Sequence, residues 1–219
     1  MYNLPFLWYN IKIKLMEKIN IYLLKSSNIE IVFELLGQLK EHSPESYDHS
    51  IDVAEKSLIL ACALGLEKND IQKLYTAGLL HDIGKLCIDG SILHKNNASE
   101  EEKELIRVDH IEGTKFILSK YFDKDLVALA SHHHERLNCS GYPEHLNATK
   151  LDILDRILQV ADVTSALQMN RSYKEAYSPE QVIEILNNLV RRGELDKQCV
   201  AEIERIFLLP LKNKSQMGS

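Results

Sequence analysis

The chain has 219 residues, 45% of them apolar, and a formal net charge of −6. That length and apolar share fit one compact domain with a complete core, and the acidic balance argues against a protein that coats a nucleic-acid polymer, which normally presents a basic face. Cys62, Cys87, Cys139 and Cys199 form no CxxC pair, and those in or beside apolar helical segments read as buried thiols of a reducing, cytoplasmic compartment.

Residues 1–28 read as an N-terminal extension. The stretch MYNLPFLWYNIKIKLMEKINIYLL is rich in Ile, Leu and aromatics but is broken by Lys12, Lys14, Glu17 and Lys18. No run in it is long enough to span a bilayer, and no small-residue cleavage site follows. It reads as a docking or dimerising segment, and its NIKIKL and INIYLL hold the only strand-like alternation in the chain. Residues 29–210 carry helical periodicity, and residues 211–219 read as a disordered tail.

Within that body, one helix covers about Ile29 to Glu41. The next opens at Ser43-Pro44, a cap followed by proline at the first helical position, and runs to about Leu64 before Gly65. Another starts at Asn69 or Asp70, reaches His81-Asp82 and stops at Gly84. A helix from Ser99, with Glu102 completing a capping box, leads toward His110. Asp123 caps a helix that ends at the histidine cluster. Residues 136–149 hold Gly141 and Pro143 and read as a loop. A long helix from about Lys150 to Met169 follows, with further starts at Ser178-Pro179 and Asp196. The expected fold is all-α, a single helical bundle.

An apolar helix ending in His81-Asp82 carries two side chains that must be satisfied if buried. A local capping pair would explain them alone. It does not explain why His49, His110, His133, His134 and Asp162 also lie within or at the ends of apolar helical segments. Helices converging on one centre would gather these groups as carboxylate–histidine metal sites do. Glu45, one turn before His49, is either a further ligand or an acid favoured by the helix dipole. His132 is out of phase with the pair that follows it and reads as a solvent-facing or supporting histidine. His42, His94 and His145 read as surface residues, as do Asp152 and Asp155. Lys85, three residues past Asp82, either reaches the same centre or sits at a helix end in solvent.

Taken together, YDHSIDVA, LLHDIGK, DHIEG, HHHERLNCSGYP and ADVTSALQMNRSYK resemble, in order and approximate spacing, the HD-GYP phosphodiesterases of the HD metal-dependent phosphohydrolase superfamily. The resemblance covers about Ser43 to Arg192. It implies an all-helical HD-domain bundle binding two or three divalent metal ions, commonly iron or manganese. The implied reaction is hydrolysis of a cyclic dinucleotide, chiefly cyclic di-GMP, to linear pGpG or GMP. The implied ligands are His49, His81, Asp82, His110, His133, His134 and Asp162, with Asp82 bridging metals and Glu45 adding a third metal. Lys85 matches a lysine that reaches the scissile phosphate, and Arg171 and Lys174 match a cationic pair that holds substrate phosphates. Gly141, Tyr142 and Pro143 are the GYP loop, a surface for substrate or a protein partner.

Metals sharing a carboxylate lower the pKa of a bridging water and provide a hydroxide nucleophile near neutral pH. Asn138 and Cys139 replace the usual Asp-Gly of the loop, and Ser165 stands where an acid is frequent. None of these removes a ligand, but glycine permits backbone conformations that cysteine resists. Two other readings compete: another nucleotide phosphohydrolase of the superfamily, and a binding module that keeps metals but has little turnover. If residues 1–28 pair protomers as a homodimer, a chain starting near Ile29 will run smaller than the full chain in size measurements. An unchanged oligomeric state refutes that role.

Overall fold

The computed structural model describes residues 28–93, 95, 97, 99–169 and 176–208. Residues 1–27 of the expected extension over residues 1–28, and the tail over residues 211–219, lie outside the described residues, as do Arg171, Lys174 and His94. The helices are α1 (Ile29–His42), α2 (Pro44–Ala63), α3 (Lys68–Leu80), the short α4 (Gly90–Leu93), α5 (Glu100–Leu118), α6 (Lys124–Ser131), α7 (Ile153–Gln168), α8 (Pro179–Arg191) and α9 (Lys197–Ile203). A 3-10 turn, Ile83–Cys87, follows α3, and a wider turn, Glu204–Leu208, follows α9. No strand occurs among the described residues, so the all-α expectation holds.

The starts follow local chemistry. Ser43 caps α2 by accepting from the Ser46 amide, with Pro44 next in line. Ser99 with Glu102, Ser178 with Gln181 and Asp152 with Asp155 close capping boxes, and Asp123 and Asp196 cap α6 and α9. The long helix begins at Ile153 rather than Lys150, because Asp152 is its cap.

Helix α2 packs against α1, α3 and α7, around a core that includes Leu39, Leu60, Leu74, Leu80, Leu118 and Ile157. Two close backbone approaches set the positions of the site. A Cβ on Gly78 would lie 2.8 Å from the Ala54 Cα, so α2 and α3 touch almost backbone to backbone, which brings His49 beside His81. A Cβ on Gly84 would lie 1.9 Å from the His110 carbonyl oxygen and 2.3 Å from the Thr114 nitrogen. Gly113 answers from α5, since its own Cβ would meet the Gly84 oxygen at 2.8 Å. Thr114 fastens this contact by accepting from the Gly84 amide at 3.0 Å and donating to the His81 carbonyl at 3.1 Å.

Two expectations need correcting. Cys62 and Cys87 are exposed and only Cys199 is buried, because Cys62 lies on the outward side of the last turn of α2 and Cys87 ends the 3-10 turn. Asp155, expected on the surface, is buried and pairs with His132 at 3.1 Å.

Gly84→Ala is predicted to destabilise the fold by about 3 kcal/mol or more, since the contact is with backbone that cannot rotate away. Chemical denaturation checks this, and a loss under 1 kcal/mol, roughly the size of a surface substitution, would contradict the packing.

Candidate metal centre

Five helical or turn segments deliver side chains to one buried point. His49 comes from α2, His81 and Asp82 from the end of α3, His110 from α5, His133 and His134 from just beyond α6, and Asp162 from α7. They form two triads, His49–His81–Asp82 and His110–His133–His134, each with ligand atoms within 4.8 Å of one another. Asp82 joins the triads: its Oδ1 lies 3.0 Å from His110 Nε2 and its Oδ2 lies 3.7 Å from His81 Nε2. Asp162 joins them a second time, with Oδ1 at 2.9 Å from His49 Nε2 and Oδ2 at 4.0 Å from His134 Nδ1.

The donor atoms fit a cation. His81 and His133 each donate Nδ1–H to a backbone carbonyl three residues back, Gly78 at 2.8 Å and Ala130 at 2.7 Å. That leaves Nε2 with a lone pair aimed inward, the arrangement found for metal-bound imidazoles. The Nε2 atoms of His81 and His133 are buried with no hydrogen-bond partner, a costly condition that a metal ion relieves.

The charges agree. Burial opposes ionisation of Asp82, yet Lys85 beside it holds its carboxyl well below the usual range. Asp162 is likewise lowered against its burial, chiefly by its contact with His49. Burial lowers His81 and His133, and takes His134 down to about 3. Neutral imidazoles beside ionised carboxylates are the protonation states that ligation requires.

The structure thus brings together the seven residues of the implied ligand set. Glu45 is half-buried one turn before His49 and belongs to neither triad. Lys85 is drawn in, its Nζ 2.6 Å from Asp82 Oδ2, with a fifth of its side chain exposed. Tyr142 stacks on His134 with ring centroids 4.7 Å apart, and Arg107 of α5 lies 4.3 Å from the Tyr142 ring centre. Burial pushes the Tyr142 phenol up to about 12. Pro143 is half-buried after a cis peptide.

Sequence reasoning passed over Glu135. It is fully buried, and its carboxylate accepts the Glu144 amide at 2.6 Å and the Leu146 amide at 2.8 Å, so it grips the GYP loop from inside. Gly141 passes so close that a Cβ there would sit 2.4 Å from the Glu135 Cα. An acid directly after the histidine pair was the available signal. Asn138 fits its place by accepting from the Ser140 amide and donating to the Arg192 carbonyl at 2.9 Å. Cys139 has a φ of +66°, the left-handed conformation that glycine takes freely.

The family model described as HD domain matches residues 32–199. The chain belongs to this HD domain family. Its HD domain is similar to the 3'3'-cGAMP-specific phosphodiesterase 1 of Vibrio cholerae, 38% identical over 161 residues that make up 73% of this chain and 37% of that protein. It is also similar to the cyclic di-GMP phosphodiesterase response regulator RpfG of Xanthomonas campestris pv. campestris, 32% identical over 151 residues, 67% of this chain and 39% of that protein. The chain therefore spans well under half the length of these curated relatives. Among solved structures, the HDG"Y"P protein Bd1817 of Bdellovibrio bacteriovorus shares the fold, with a TM-score of 0.62, 19% identity and coverage of 91% of this chain and 63% of that one. The HD-GYP resemblance read from the motifs holds.

Cys139→Gly is predicted to stabilise the HD domain by about 1 kcal/mol, because a left-handed residue with a Cβ costs about that much. Thermal unfolding of the two proteins checks it, and an unchanged or lower midpoint contradicts the conformation.

Proposed function

We propose that the chain is a metal-dependent phosphodiesterase that hydrolyses a cyclic dinucleotide. The observation that carries this reading is the pair of buried triads joined by Asp82 and Asp162, since adjacent metal positions sharing a carboxylate suit hydrolysis of a phosphodiester. Divalent ions there supply Lewis acidity, acidifying water and taking up charge that develops on phosphate. The residues that would hold them are His49, His81 and Asp82 on one side and His110, His133 and His134 on the other, with Asp162 reaching both. Iron or manganese fits this imidazole and carboxylate set. Glu45 would add a ligand for a third ion.

Lys85 has the reach and exposure to turn from Asp82 toward a phosphate oxygen, while its contact with Asp82 keeps it close. Tyr142, braced by His134, lines the same side of the centre and would orient the nucleotide. Arg171 and Lys174 would hold the outer phosphates and offset the acidic charge of the chain.

Cyclic di-GMP is the substrate we assign from the motifs. 3'3'-cGAMP is the second reading, because the 38% identical relative is named as specific for it. Free thiols at Cys62, Cys87, Cys139 and Cys199 support a cytoplasmic setting.

The test is anaerobic metal analysis coupled to hydrolysis assays of cyclic di-GMP and 3'3'-cGAMP on one sample, comparing iron, manganese and zinc. Two or more bound metals with linear dinucleotide or mononucleotide product are expected. Metal without turnover of either compound would favour the binding module, and no metal after reconstitution would overturn the site. Asp82→Ala should lower turnover at least about 100-fold while leaving helical content intact. Retained turnover in a metal-loaded variant removes Asp82 from its role.

A further inference from the structure

The candidate centre opens on one side. The side chains of His49, His81 and His110 are at most 7% exposed and His133 is fully buried, whereas 25% of the His134 side chain faces solvent. A substrate therefore reaches the centre past His134. Tyr142 stacks on that ring at 4.7 Å, and Arg107 lies 4.3 Å from the centre of the Tyr142 ring. Both stand at the mouth, with Arg107 one side chain further out than Tyr142. Arg107 is one turn before His110 on α5, which places the two on neighbouring positions of the helix surface.

Arg107 is oriented there without being used up. The aromatic ring holds its guanidinium through a cation–π contact. Half of its side chain is exposed, and its one ion pair among the described residues runs from Nη1 to Glu104 Oε2 at 3.0 Å. That pair joins two surface side chains one turn apart and has little net worth. Arg136, the arginine of the loop itself, is committed instead: its Nη1 donates to the carbonyls of His133 at 3.0 Å and Glu135 at 2.7 Å. Arg107 thus offers a planar fork of donors that a ligand can claim.

A guanidinium carries N–H donors and no acceptor, so it pairs best with two acceptors side by side. In a cyclic dinucleotide a phosphate offers that pattern, and so does the O6–N7 edge of guanine. Adenine sets a donor, N6, beside N7 and does not match. The phosphates belong to the compact sugar–phosphate ring, with the scissile one at the metal positions, whereas the bases project outward. The group that reaches a planar, aromatic mouth one side chain removed from the centre is a base.

We propose that Arg107 is a specificity-determining residue, its guanidinium held over Tyr142 to read the O6 and N7 acceptors of one guanine base. This assignment rests on the cyclic-dinucleotide reading above. It calls for one guanine, which cyclic di-GMP and 3'3'-cGAMP both carry and cyclic di-AMP lacks.

The test compares these three compounds on the full chain, by calorimetric affinity without metal and by kcat/KM with manganese. The readout is the preference for cyclic di-GMP over cyclic di-AMP. In the wild type it should be about 10- to 100-fold, with 3'3'-cGAMP following cyclic di-GMP. Arg107→Met should abolish the preference. Arg107→Gln should reverse it, because an amide offers the donor and acceptor that match N7 and N6 of adenine. Arg107 is half exposed, so both variants should keep the fold, which circular dichroism checks. An arginine that only attracts phosphate or braces Tyr142 would weaken all three ligands together and leave the preference intact, and that result would overturn the proposal. A wild type without preference overturns it too. Preference in binding without turnover of any compound would fail the phosphodiesterase reading alone, and a chain that neither binds nor cleaves any of the three would overturn both.

Discussion

Two ionised carboxylates, Asp82 and Asp162, lie buried among the rings of His49, His81, His110, His133 and His134, and the rest of the molecule is arranged around that arrangement of charge. Burial alone would drive both acids toward neutrality and leave inward-facing imidazole nitrogens without partners. The surroundings act the other way. Lys85 keeps Asp82 ionised, His49 does the same for Asp162, and backbone carbonyls fix which ring nitrogen of His81 and His133 points inward. The result is a centre with the charge and lone pairs of a divalent-ion site built into an apolar core.

Holding such a centre demands accurate helix placement, and here small residues provide it. Ala54 against Gly78 sets α3 on α2, and Gly84 against Gly113 sets the turn after α3 on α5. Thr114 then ties the two backbones through one hydroxyl. Each contact lies within a few residues of a candidate ligand, so the packing that stabilises the fold is also what positions these side chains.

Much of this was legible in the sequence, for reasons that are local. Capping residues such as Ser43, Ser99 and Asp123 mark helix starts because their side chains bond amides only a few positions away. The candidate ligands were legible because acids and imidazoles in apolar helices need partners. What escaped depended on contacts distant in sequence. Gly84 reads as a stop signal, yet its role is to admit the His110 carbonyl. Asp155 looks like a dipole-favoured surface acid, but His132 buries it. Glu135 stands in the HHHERLNCSGYP motif with no role of its own, and only the folded loop shows two amides converging on it. Cys62 reads as core because its neighbours are apolar, although its own direction on α2 is outward.

The grip of Glu135 on the loop has one further consequence. It holds Glu144 and Leu146 by their backbone amides, and every residue type except proline offers the same amide. The side chains at the exposed positions 139 and 145 are thereby released from the task of shaping the loop, while Asn138 still ties it to the Arg192 carbonyl. Its outer face can change composition over evolutionary time, altering what it meets, while the histidines beneath it stay where they are. Cys139 is one such change, carried on a frame that did not have to be rebuilt to accept it.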